Sequence, residues 1–307
     1  MKILMAVVAA VGTQVAASHA SVKRLDGTQI TGGQIDATVG RLMNAAQVTG
    51  MGIAIFNDRR PVYVKAYGFR DTDQHLPLTT DSVMTAASFT KIAFAYMVMQ
   101  LVDDSVIQLD TPIQHYLPRP LPEYAGYESL AGDVRYERLT PRMLLDHTSG
   151  FANLRVLEPG RRIQIHFEPG TRYAYSGQGL QLLQLVVETV TRRPVEDLMR
   201  ERVFRPFGMT RTSMVWQERF ESDHANGYDE DGRSLGPERR PSANVAGSMQ
   251  TTLGDFTRFM QAVMNGQRWG GACIRRHTAK RFSKKDMTRA GAITPSPFQS
   301  RASASSS

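Results

Sequence analysis

The sequence predicts a mixed α/β fold of the α+β kind, with a few antiparallel strands beside a largely helical remainder. Three observations carry that prediction. The 307 residues suffice for one large core or two modest ones. Two strand-like runs, Gly52–Phe56 and Pro61–Gly68, flank a short polar turn and so read as a hairpin. Long apolar runs at helical spacing then recur, above all Ile92–Val102 and Gly179–Val190. Apolar content of 41% and charged content of 21% are ordinary globular values and exclude a disordered chain.

The chain starts with a leader pattern. Met1-Lys2 is a short positive end, and Ile3 to Ala17 is apolar and rich in small residues. Ser18-His19-Ala20 then offers small residues at the outer positions of a cleavage site. This reads as a secretory signal peptide. A membrane span is the poorer reading, because the run is short and broken by Gly12, Thr13 and Gln14. The expected mature protein begins near Ser21, is secreted or periplasmic, and has no membrane span. The expected domains are a signal peptide over 1–20, a folded domain over 21–267, and a basic, low-complexity, disordered tail over 268–307.

Gly33 to Ala46 carries Ile35, Val39, Leu42, Met43 and Ala46 at helical spacing, an amphipathic helix suited to one face of a sheet. The hairpin follows, with Asn57-Asp58-Arg59-Arg60 as a four-residue turn. A polar loop leads to Ala87-Ser88-Phe89-Thr90-Lys91 and the run Ile92–Val102, apolar nearly all round and therefore central. Residues 118–138 are rich in Pro, Gly, Tyr and charge and read as a surface excursion. Thr140 caps a helix with Pro141 at its first position, which stops at His147-Thr148-Ser149-Gly150. Tyr173-Ala174-Tyr175-Ser176-Gly177 feeds the helix Gly179–Val190, and Pro194 opens the next. Thr251 or Thr252 caps a last amphipathic helix, ended by Asn265-Gly266.

The net charge of +8 is unevenly placed. Residues 268–307 hold nine Lys/Arg against one acid, Asp286, while residues 1–267 hold 28 of each sign. The basic balance belongs to the tail, which argues against nucleic-acid binding by the folded part. Cys273 stands alone, so no internal disulfide braces the chain. The histidines are scattered, without His-x-His or His-Glu-x-x-His pairing, and suggest no metal site.

The chemistry centres on Ser88 and Lys91. Residues at i and i+3 share a helix face, so hydroxyl and amine can meet. A serine needs a base near neutral pH. Burial of Lys91 among apolar neighbours would lower its pKa and supply an uncharged amine. The helix N-terminus also favours the negative charge that develops as Ser88 attacks. With 20 Ser and 7 Lys in the chain, however, chance alone supplies roughly half a Ser-x-x-Lys. The spacing needs company.

That company is Leu144-Leu145-Asp146-His147-Thr148-Ser149-Gly150, Pro169-Gly170, Tyr175-Ser176-Gly177, Pro206-Phe207-Gly208-Met209-Thr210 and Thr251-Thr252-Leu253-Gly254-Asp255-Phe256. In this order, with Ser88 and Lys91, they resemble the serine β-lactamase and penicillin-binding protein superfamily. The nearest branch is that of class C-like β-lactamase-related hydrolases and esterases. The resemblance implies a β-lactamase/transpeptidase-like fold, an antiparallel sheet flanked by helices plus an all-helical region. It implies acylation of Ser88 by an ester, a β-lactam or a peptidoglycan-like peptide amide, then hydrolysis, with no cofactor. Lys91 would be the base, and Tyr175 a base or proton shuttle whose phenol a nearby ammonium acidifies. His147 is tempting as a triad base, but the family uses its segment as a structural turn.

Two departures from the family pattern shape the expectation. The tyrosine motif usually ends in an asparagine that hydrogen-bonds the substrate's amide side chain, and here Gly177 stands in that place. This weakens recognition of an acylamino group and favours esters, with Gln178 as the nearest substitute. The third motif, Lys-Thr-Gly or His-x-Gly on a late strand, has no match beyond His277-Thr278-Ala279. That strand normally supplies an oxyanion-hole N–H, and losing one such donor costs ~10²–10³ in rate. The expectation is therefore a truncated or frame-shifted member whose sheet is incomplete at the C-terminus. The rival readings are an impaired member that only binds or slowly acylates with cell-wall peptide or β-lactam, and a basic-tailed surface binder.

Overall fold

The structure, a computed structural model, describes residues 21–266, so the leader, His277 and the basic tail lie outside the described residues. The described residues divide into two units, 21–80 and 81–266. Small antiparallel sheets and helices make up both, the mixed architecture that the sequence predicts.

In the first unit a short ribbon of β1 (Ser21–Lys23) and β2 (Gln29–Thr31) runs into α1 (Gly32–Ala46). Thr31 starts the helix with a reciprocal capping box. Its hydroxyl accepts the Gln34 N–H, and the Gln34 side chain accepts the Thr31 N–H. Ile35, Val39 and Met43 are buried at a spacing of four, whereas Leu42 and Ala46 face solvent, so the apolar stripe is narrower than the sequence suggested. β3 (Gly50–Asn57) and β4 (Arg60–Asp71) form the hairpin, and β5 (Leu76–Pro77) pairs with the far edge of β4. Among the described residues no strand pairs with the other edge of β3.

The hairpin corrects one expectation. Asn57 pairs with Arg60, so only Asp58 and Arg59 turn the chain, with φ of 48° and 64°. Two successive left-handed residues make the tight turn whose twist matches paired strands. The cost of positive φ at Asp58 and Arg59 is accepted for that match, without the glycine that would have signalled it. Asp36 on α1 gathers donors from β4: the Tyr63 hydroxyl at 2.5 Å, the Lys65 ammonium at 2.7 Å and the Tyr67 hydroxyl at 2.8 Å. The Lys65 hydrogen bond, then that from Tyr63, holds the Asp36 carboxyl down at about 2.

The second unit is organised around α2 (Thr90–Asp103), which buries Ala93, Phe94, Met97, Val98 and Leu101. α3 (Pro141–Leu145) begins as expected, with the Thr140 hydroxyl accepting the Met143 N–H and Pro141 in the first turn. α4 (Gly177–Thr191) is capped by Ser176 and packs its buried face of Leu180, Leu183 and Val187 into the same core as α2. α5 (Val195–Met199) continues into a π-helical turn over Arg200–Phe204. A two-residue pairing of β6 (Met84–Thr85) with β9 (Gln250–Thr251) ties the approach to α2 to the late part of the chain; between them β7 (Gly227–Tyr228) and β8 (Ser234–Gly236) form a small ribbon. Thr252, of the two candidate threonines, caps α6 (Leu253–Met264) by accepting the Asp255 N–H. No helix among the described residues is long and apolar enough to cross a membrane.

Candidate active site

The site is built where α2 begins. Ala87-Ser88-Phe89 forms a single 3-10 turn that runs directly into α2. Ala87 has φ of 42°, a conformation that alanine adopts only under constraint. Three hydrogen bonds supply that constraint. The Ala86 N–H donates to Met249 O at 2.8 Å, the Thr90 hydroxyl donates to Ala87 O at 2.5 Å, and the Met249 N–H donates to the same Thr90 hydroxyl at 3.1 Å. The serine turn is thus clamped to residues 246–251 before it enters the helix.

Lys91, one turn into the buried helix, is only 4% exposed. Its Nζ donates to Ser88 Oγ at 3.0 Å and to Ala246 O at 2.5 Å. The Ala246 carbonyl is itself held. Ala246 N–H donates to the Asn244 side chain, and Val245 N–H donates to Gln184 on α4. Ser88 remains half-buried, so a substrate can reach it although the amine behind it is enclosed.

Tyr175 arrives from the strand-like approach to α4. Its hydroxyl donates to Ser88 Oγ at 2.9 Å, and Lys91 Nζ lies 4.9 Å from its ring centre. The neighbours on both sides are fixed. Ala174 N–H donates to His147 O at 2.8 Å, and Ser176 N–H donates to His147 Nδ1 at 3.1 Å. The His147 ring, 1% exposed, packs on Tyr175 with centroids 4.6 Å apart. His147 thus braces the backbone on both sides of the tyrosine and packs against its ring. Ser88, Lys91 and Tyr175, 87 positions apart at the extremes, come together at one point.

Two groups in the site carried no signal in the sequence. One is the Ala246 carbonyl, 155 positions from the lysine that it receives. The other is Asn153, just past the His147 turn. Its backbone carbonyl accepts the N–H of Gly177 at 3.1 Å and of Gln178 at 3.2 Å, and its Oδ1 accepts Gly177 N–H at 3.0 Å. A Cβ at position 177 would lie 2.8 Å from Asn153 O and 3.2 Å from Asn153 Oδ1. The glycine is required there by that close approach. Gln178 does not fill the gap: it is 5% exposed and donates to Gln181 within α4. Beside Tyr175 opens a cavity of about 440 Å³, lined among others by Phe151, Asn153, Phe167, Arg172 and Tyr173.

A mixed α/β chain that brings a serine, a lysine and a tyrosine together at the head of its central helix has the serine-hydrolase fold shared by β-lactamases and penicillin-binding proteins. Comparison of the sequence with protein families makes the assignment specific: the chain belongs to the β-lactamase family, whose model matches residues 35–294. It is 29% identical over 184 residues to penicillin-binding protein 4 of Amycolatopsis lactamdurans, a match covering 56% of this chain and 46% of that protein. Among solved structures it is similar to a β-lactamase/D-alanine carboxypeptidase of Pseudomonas syringae. There the TM-score is 0.65 at 19% identity, over 83% of this chain and 67% of that one. A D-amino acid amidase of Ochrobactrum anthropi gives a TM-score of 0.61 at 25% identity, over 76% of this chain and 72% of that one. The chain spans about half the length of the first curated relatives it matches, 46% and 49% of them.

Proposed function

We propose that the protein is an exported serine hydrolase that acts through an acyl-enzyme on Ser88. One observation carries this reading: Ser88 Oγ has Lys91 Nζ at 3.0 Å and Tyr175 Oη at 2.9 Å, within reach of proton transfer to either. Ser88 Oγ attacks the carbonyl carbon of an ester, β-lactam or peptide amide, and its proton passes to the Tyr175–Lys91 pair. The same pair returns a proton to the leaving alcohol or amine as the carbonyl re-forms. Water then attacks the acyl-enzyme with the pair again as base, releasing the acid and restoring the serine. The Ala246 carbonyl holds Lys91 in place through both halves, and the opening of α2 favours the anionic charge at the reacting centre. Export is proposed on the leader pattern of Met1–Ala20.

The test is intact-mass spectrometry of the full chain after exposure to a fluorophosphonate and, separately, to a penicillin. Wild type is expected to gain one adduct with each reagent, and Ser88→Ala none. Decay of the penicilloyl adduct marks a hydrolase, whereas a permanent adduct marks a protein that only captures its ligand. An adduct that persists in Ser88→Ala, or none in wild type, overturns the assignment of Ser88.

A further inference from the structure

A surface turn ordinarily gives its polar side chains to water and its apolar ones to the interior. Residues 154–162 of the second unit do the reverse. The segment forms two successive 3-10 turns, Arg155–Leu157 and Pro159–Arg161. Its anchors are polar side chains three positions apart. Arg155 Nη2 donates to Gly126 O at 2.7 Å, and Glu158, its side chain 3% exposed, has Oε1 2.8 Å from His166 Nε2. The apolar side chains are left outside: Leu154 is 44% exposed, Val156 61% and Leu157 67%. Elsewhere among the described residues, exposed large apolar side chains stand farther apart along the chain.

Charge completes the surface. Glu158 is the one acid between residues 147 and 167, and it is engaged inward by His166. Arg161 and Arg162 are exposed and make no ion pair among the described residues. We propose that residues 154–162 form a docking surface for a membrane of anionic phospholipid. Leu154, Val156 and Leu157 enter the boundary between headgroups and acyl chains, and Arg161 and Arg162 meet the phosphates. A lipid surface rewards both features. A soluble polyanion would engage the arginines and leave three apolar side chains in water, and an uncharged apolar partner would leave two cations unanswered. The segment starts beside Asn153 and is anchored back at His166, both of which line the cavity next to Tyr175. Docking therefore brings that cavity to the lipid surface. The inference does not depend on the chemistry at Ser88.

Vesicle sedimentation of the full chain is the test. The wild type is expected to bind vesicles of phosphatidylglycerol mixed with phosphatidylcholine, and vesicles of phosphatidylcholine alone far less. Residues 268–307, with nine Lys/Arg, would also attract the chain to anionic vesicles, so two pairs of substitutions are compared. Val156→Ser with Leu157→Ser removes apolar tips, and Arg161→Ser with Arg162→Ser removes the cations. Each pair is expected to weaken binding about tenfold without moving the melting midpoint. Raised salt should erase the arginine effect and spare the apolar one. Leu157→Trp removes nothing the surface needs, and its emission is expected to shift to the blue when vesicles are added. Absence of that shift, or of any wild-type binding, overturns the proposal. So does wild-type binding by both pairs, which would assign the attraction to the basic tail. A loss confined to the arginine pair would mark a surface for soluble polyanions, and one confined to the apolar pair a surface for an uncharged partner; either result also overturns it.

Discussion

The core cluster of residues 21–80 holds five buried apolar side chains, Val22, Ile35, Val39, Met43 and Tyr63, beside a charged hub at Asp36, whereas that of residues 81–266 holds thirty-five. Every residue of β3 is only half-buried, while α2 holds Ala93, Phe94, Met97 and Val98 at no exposure. Ser88, Lys91 and Tyr175 all belong to the second unit. Catalysis needs side chains held to within a fraction of an ångström, and close packing supplies that restraint. Beside its small core the first unit carries the Asp36 hub, whose strength depends on charge state and screening.

The largest expected effect tests where the chemistry sits. Ser88→Ala is expected to lower p-nitrophenyl ester hydrolysis by at least ~10³-fold, with its thermal melting midpoint essentially that of the wild type. Hydrolysis that survives would move the reaction elsewhere. Next come matched truncations in the two cores. Met97→Ala, at a site with no exposure, is expected to cost about 4 kcal/mol, and Met43→Ala, 8% exposed, about 2 kcal/mol, by urea unfolding. Equal costs would erase the contrast between the units. Gly177→Ala forces a Cβ against Asn153 O and is expected to cost about 1–3 kcal/mol by the same measurement. A neutral result would mean that the 151–153 loop yields easily.

The smallest effect concerns the hub. The Lys65 contact, with those of Tyr63 and Tyr67, depresses the Asp36 carboxyl from 3.8 to about 2 in the folded protein. A depressed carboxyl contributes stability above the unfolded value near 3.8, and that contribution disappears as pH falls toward about 2. Since Asp36 and Lys65 are each about a third exposed, screening keeps the contribution below ~1 kcal/mol. Urea unfolding should therefore separate wild type from Asp36→Asn at pH 7, with the gap closing between about pH 4 and pH 2. A gap independent of pH would assign the effect to packing of Tyr63 and Tyr67 instead.

Short-range features were legible in the sequence. The Ser88–Lys91 spacing, the Thr140–Pro141 helix start and the centrality of α2 all follow from helix periodicity and capping chemistry. Tyr175 was legible only through resemblance, because nothing in the text near position 175 reveals that it folds back to position 88. The Ala246 carbonyl and Asn153 were illegible for a stronger reason. A main-chain acceptor has no side-chain identity to notice, and an asparagine in a loop reads as ordinary turn chemistry. Gly177 was noticed for the side chain it lacks, but the close approach of Asn153 O that requires glycine there was not legible. The hairpin turn at 57–60 was placed from the sequence, but its tightening to Asp58-Arg59 was not legible because the positive φ values are not carried by glycine.

Ala87 has a further consequence for the history of this chain. Its φ of 42° is disfavoured for alanine, and glycine would relieve it by about 1 kcal/mol. Glycine would also let the peptide ahead of Ser88 wander, loosening the hydroxyl orientation that the clamp to Met249 and Thr90 maintains. Two selections therefore pull this position in opposite directions. A library of variants screened for melting temperature alone should enrich glycine at 87, and the same library screened for turnover should return alanine.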